Sequence, residues 1–340
     1  MRISYRWFGL LLFGVCLSIA QSYKPEAIQQ ANLGVSLSKK QDYRGAVEAY
    51  KRAMAIDPRL PYLYLNLGLA YFKEGSFREA LGAFDKEPPS DQTTTLIGMS
   101  HFGLGEYKQA AATLQPLATA HPDNAELGYL LAKSYLWAGQ HEQAMEMFRR
   151  LLERDPDSAP VHMLLGEALD ADDRESEATA EFEAAVKAGP DVPEAHFSLG
   201  YLYWKQKRYA EAEREFRAEL KASPENANSL AYLGDTLLRD RRGPEALADL
   251  KKAEGLDPAL HVVHQDLGIY YQDANQLPLA VDEFQAAVKT APDNYDSHYR
   301  LARIYKQMGR AADSEREFRI VQKLHEKKDA DPLMRISGPS

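Results

Sequence analysis

The chain has 340 residues, of which 45% are hydrophobic and 27% charged, with a formal net charge of −9. A single globule is strained at this length, because cores stop growing near about 250–300 residues, whereas an elongated array whose units touch only their neighbours is not. The acidic balance argues against nucleic acid or anionic lipid as the main partner, and Cys16, the only cysteine, excludes intramolecular disulfides.

At the N-terminus Arg2 and Arg6 precede an apolar run from Trp7 to Ile19, and Ser18-Ile19-Ala20 sets small residues at cleavage-site spacing. The pattern predicts a secretory signal peptide over residues 1–20, with cleavage after Ala20. The run falls short of the roughly 20 residues that span a bilayer, so no stable membrane insertion is expected after cleavage. Cleavage removes Cys16, and with it any thiolate ligand or nucleophile, and takes the net charge from −9 to −11. Residues 21–26 read as a short linker, and the expected location is secreted or periplasmic.

From residue 27 onward the chain repeats itself. The clearest copy is 193–226, which reads as two helices joined at Lys207-Arg208 and stopped by Pro224. Its small residue Gly200 recurs as Gly34, Gly68, Gly98, Ala132, Gly166, Gly234, Gly268 and Ala302, at intervals of 34 residues except for 30 between Gly68 and Gly98. Twelve residues after each stands alanine (Ala46, Ala80, Ala110, Ala144, Ala178, Ala212, Ala246, Ala280), failing at Ser314. Four further on comes Tyr50, Phe84, Leu114, Phe148, Phe182, Phe216, Leu250, Phe284 or Phe318. A glycine inside a helix costs about 1 kcal/mol against alanine, so its recurrence needs a packing reason. The expected reason is a close approach of Gly200 to Ala212, with Tyr203 and Phe216 to either side.

This helix–turn–helix period resembles the tetratricopeptide repeat. The resemblance covers residues 27–328 and implies an all-α helix–turn–helix repeat solenoid, a right-handed superhelix of about nine repeats whose first helices line a concave groove. The units are 27–60, 61–90, 91–124, 125–158, 159–192, 193–226, 227–260, 261–294 and 295–328, followed by a disordered tail over 329–340. The second unit lacks four residues, and Pro88-Pro89 end its second helix early; the third opens with Thr93-Thr94-Thr95, weak helix formers. A tolerated deletion explains this, or a hinge dividing two repeats from seven. The closing helix of the last unit is polar, as a solenoid cap requires.

Catalytic spacing is missing from the repeats. His141-Glu142 has no second histidine three residues on, and Gly103 with Gly105 lacks the rest of a nucleotide loop. His261 and His264 could share a metal, but one of them falls in the column of His196 and His298, which favours packing. The acidic turn around Asp170, Asp172, Asp173, Glu175 and Glu177 lacks the glycine and spacing of a calcium loop. No enzyme activity, cofactor or metal is therefore expected.

A second stripe of the first helices remains unassigned by packing: Tyr62, Phe72, Phe102, Tyr129, Lys133, Trp137, Glu167, Asp170, Phe197, Tyr201 and Trp204. Aromatic residues along one lane mark contact sites. The expected partner is a protein or peptide with apolar residues for the rings and basic ones for Glu167 and Asp170. The expected function is a non-catalytic interaction scaffold. A structural or accessory subunit of an envelope assembly or secretion complex, and a substrate-presenting partner of an enzyme, are the alternatives.

Overall fold

The computed structural model describes residues 23–330; the signal-peptide reading lies outside them, as do residues 331–340. The described chain is all-α, and it divides after Arg174 into two compact units. The first holds α1 (Pro25–Lys39), α2 (Tyr43–Ile56), α3 (Leu63–Glu74), α4 (Phe77–Phe84), α5 (Asp91–Gly103), α6 (Tyr107–Ala120), α7 (Ala125–Trp137), α8 (His141–Leu152) and α9 (Ala159–Asp170). The second holds α10 (Glu175–Ala188), α11 (Ala195–Lys205), α12 (Tyr209–Ala222), α13 (Ala227–Arg239), α14 (Gly243–Leu256), α15 (His261–Asp273), α16 (Leu277–Thr290), α17 (Tyr295–Gln307) and α18 (Ala311–Ala330). Within each unit successive helices pack on one another as antiparallel pairs, the arrangement of a repeat solenoid. The division falls at Arg174, while the shortened repeat lies inside the first unit, where α4 packs on α5.

The glycine column has a sharper role than the one expected. A Cβ added at Gly34, Gly68, Gly98, Gly200, Gly234 or Gly268 would come within 2.5–2.9 Å of the side chain sixteen residues later. Those side chains are Tyr50, Phe84, Leu114, Phe216, Leu250 and Phe284. Each glycine is thus the seat of one large residue, whose side chain lies nearest to it. Burying that residue contributes about 1.5–3 kcal/mol, which offsets the glycine's helix cost. The alanine column is itself fully buried from Ala46 to Ala280. Where it fails, the Ser314 hydroxyl donates to the Ala302 carbonyl at 2.9 Å, so the polar atom is satisfied.

The turn inside each pair also follows a column, seven residues after the small one. Gln41, Gly75, Gly105, Gly139, Asp173, Lys207, Arg241, Asn275 and Gly309 all have φ between 56° and 90°. Four are glycine, which adopts this left-handed conformation freely, and the other five carry its steric cost.

Helix starts are fixed by local chemistry. Asn124, Asn226 and Asn294 cap α7, α13 and α17 by accepting from the backbone N–H three residues on, at 2.9–3.0 Å. Ser90 and Thr93 form a reciprocal capping box that starts α5 despite its run of threonines. Three histidines join first to second helices in the second unit. The Nδ1 atoms of His196, His264 and His298 lie 2.7, 2.8 and 2.8 Å from Glu215, Glu283 and Glu317.

Candidate binding face

In the first unit the structure gathers four of the expected residues. Lys133 on α7 holds its ammonium 4.7 Å from the Trp137 ring centre, 5.4 Å from Tyr129 and 5.7 Å from Phe102. Rings at such distances attract a cation through their negative faces. Tyr107, which the sequence reading missed, closes the group at 5.3 Å from Phe102 and 5.8 Å from Trp137. Burial pulls the Lys133 pKa down, with the Glu167 charge opposing, and burial pushes Tyr129 up. Glu167 and Asp170 are half-buried on α9.

Two of the expected residues are core. Phe72 is 4% exposed and packs edge-on against Phe77, and Phe102 is 7% exposed beneath Tyr107 and Trp137. In both cases an aromatic at the start of the following helix covers the ring. Tyr62 stands apart: it is 45% exposed and caps α3 in a left-handed conformation, φ 60°.

In the second unit Phe197, Tyr201 and Trp204 come together as one tile on α11. Successive rings lie 6.3 and 5.9 Å apart at 21° and 17°, and each is half-buried. Tyr232 on α13 meets all three, edge-on at 5.2 Å to Tyr201 and to Trp204 and at 6.0 Å to Phe197. Burial first, then the neighbouring Tyr201, Asp235 and Asp266, pushes its hydroxyl up to about 12.

Beneath the tile lie two carboxyls. Asp235 is 4% exposed and accepts from Trp204 Nε1 and, at 2.6 Å, from Arg239 Nε. Asp266 is 3% exposed, and its Oδ2 has no hydrogen-bond partner. Burial, and then the Asp235 charge, holds its pKa well above the usual carboxylate range; Arg239 and Arg300 oppose the shift without overcoming it.

Tyr232 and Asp266 escaped the sequence reading because neighbouring first helices do not meet at the repeat period. Trp204–Asp235, Tyr201–Tyr232, Asp235–Asp266 and Gln265–Asp296 are all 31 residues apart. Pairing first-helix residues at 31, one helical turn short of 34, would have found them.

The paired helices, the glycine seats and the stripe define a tetratricopeptide array. Tetratricopeptide and TPR repeat family descriptions match residues 34–75, 101–168, 164–227, 197–261 and 266–331, and the chain belongs to this family. Proteins built from these repeats are generally non-catalytic interaction scaffolds. Over 108 residues the chain is 31% identical to cellulose synthase operon protein C of Pseudomonas fluorescens (strain SBW25). That match covers 30% of this chain and spans 8% of the curated relative's length. Among solved structures, a tetratricopeptide repeat protein from Parabacteroides merdae aligns with a TM-score of 0.56 at 20% identity, covering 73% of this chain and 99% of that one. The hetero-tetramer Cut9-Hcn1 of APC/C aligns with a TM-score of 0.55 at 15% identity, covering 84% and 58%. At these identities the likenesses show the fold. Among the described residues, no helix is long and apolar enough to cross a membrane.

Proposed function

We propose that the chain is a secreted or periplasmic scaffold that holds a protein segment against its first-helix stripe and catalyses nothing itself. The observation that carries this reading is the tile of Phe197, Tyr201, Trp204 and Tyr232, half-buried and edged by charged Arg239 and Lys205. Such rings are the commonest interface anchors, each worth about 2 kcal/mol or more when a partner buries it. Within the first unit, Glu167 and Asp170 offer carboxylates for basic residues of a ligand.

The test is crosslinking of residues 21–340 in the native envelope, followed by identification of the captured peptides. Replacing Phe197, Tyr201 and Trp204 with alanine should reduce capture at least tenfold. Phe284→Leu loosens the core of another helix pair and should leave capture intact. If both variants lose capture in proportion to lost stability, the tile is packing and the reading fails.

A second reading, an accessory subunit of an envelope assembly, draws its support from the partial likeness to cellulose synthase operon protein C. Crosslinks mapping to second helices instead of the stripe would favour it. Recovery of a constitutively bound catalytic chain would instead favour a substrate-presenting role.

A further inference from the structure

His264 differs from its two counterparts in what surrounds it. At His196 and His298, Nδ1 meets a single carboxylate, whose other oxygen is held by the adjacent Arg214 or Arg316. At His264 two carboxylates converge, Glu283 Oε2 at 2.8 Å and Glu254 Oε1 at 3.9 Å from Nδ1. Lys251 takes the opposite oxygens, Glu254 Oε2 at 2.9 Å and Glu283 Oε1 at 3.0 Å. The ammonium thus bridges the outer oxygens and leaves the two inner ones to face the imidazole. The ligand atoms of Glu254, His264 and Glu283 lie within 4.8 Å of one another, the single such group among the described residues.

From this arrangement we propose that Glu254, His264 and Glu283 form a binding site for one zinc-type divalent cation. Its ligands are His264 Nδ1, Glu254 Oε1 and Glu283 Oε2, with water completing a tetrahedron. Zinc–ligand bonds of about 2.0–2.2 Å set neighbouring ligand atoms about 3.3 Å apart. From the observed spacings, Glu283 draws back by about 0.5 Å and Glu254 closes by about 0.6 Å, within reach of a glutamate rotamer. The outer contacts are also in place. His264 Nε2 lies 3.0 Å from the Pro258 carbonyl, which can only accept, so that nitrogen carries a hydrogen and leaves Nδ1 for the metal. Lys251 neutralises one of the two carboxylate charges. An imidazole with two carboxylates suits zinc, whereas calcium takes six to eight oxygens.

Because the ligands come from α14, α15 and α16, the cation ties three successive helices together.

The experiment is calorimetric titration of the full chain with zinc chloride at pH 7.5. Wild type should bind zinc at a site that Glu254→Gln weakens at least tenfold. The metal-free melting temperature of Glu254→Gln should stay close to wild type, since Glu254 is partly exposed and the glutamine oxygen still accepts from Lys251, which keeps its Glu283 partner. His264→Gln should abolish the site. His298→Gln breaks a sister pair and should leave zinc affinity within twofold. Zinc binding by Glu254→Gln equal to wild type, magnesium binding as tight as zinc, or no binding by wild type would each overturn the proposal.

Discussion

Asp266→Asn should stabilise the second unit at neutral pH, and the gain should vanish in acid. Asp266 sits 3% exposed with one oxygen unpartnered, while Asp235 beside it already receives Trp204 and Arg239. Burial, and then the Asp235 charge, makes Asp266 hold its proton well above the usual carboxylate range. An unfolded aspartate titrates near about 3.9. Between that pH and the higher folded pKa, the folded chain binds a proton that the unfolded chain has released. Stability therefore falls as pH rises through this window and levels off above it. Asparagine stays neutral throughout and offers an N–H to the Asp235 carboxylate. Putting a donor to Asp235 in place of a buried, unsatisfied oxygen is worth about 1–3 kcal/mol. At about 2–4 °C per kcal/mol for a unit of this size, a 2 kcal/mol gain corresponds to a rise of about 4–8 °C. The assay is thermal unfolding followed by circular dichroism, at pH 7 and at pH 4. An equal effect at both values, or destabilisation at pH 7, would refute the reasoning.

Gly268→Val should destabilise by about 1–3 kcal/mol, read from thermal melting, because even a Cβ would lie 2.8 Å from the Phe284 ring. Lys207→Gly should stabilise by about 0.5–1 kcal/mol in denaturant titration, since it relieves a left-handed lysine at φ 60° and leaves some of the gain to chain entropy. Ser314→Ala removes the hydroxyl bonded to Ala302 and should cost about 1 kcal/mol, with the urea midpoint as readout. Lys133→Met should leave stability within about 1 kcal/mol, because losing the ring contacts is balanced by losing a desolvated charge, and Trp137 fluorescence should report the change.

The repeat architecture was legible because its determinants lie at fixed offsets. A glycine, an alanine twelve residues on and a large side chain sixteen residues on recur with little change, and any copy exposes the others. Which of them touch was less legible: Gly200 seats Phe216, one turn beyond the expected Ala212. The turn column stayed hidden because backbone conformation, not side-chain chemistry, unites Gln41, Asp173, Lys207, Arg241 and Asn275. On the stripe, clustering of Lys133 with Trp137 and of Phe197 with Trp204 followed from helical spacing. The burial of Phe72 and Phe102 did not, since it depends on Phe77 and Tyr107 in the next helix. Asp266 was invisible for a further reason: a lone acidic residue in a helix reads as solvated until a neighbouring helix covers it.

The 31-residue offset separates what a repeat carries with it from what it acquires from its neighbour. Glycine and its ring, or histidine and its glutamate, travel together whenever a repeat is duplicated or exchanged. Trp204 with Asp235 and Asp235 with Asp266 do not, because each pair is split between consecutive repeats. Reordering intact repeats would therefore preserve the stacking core and rewrite the stripe at every new junction. In this array the chemistry of the face is a property of repeat order, so a new surface can arise by recombination without a single point mutation.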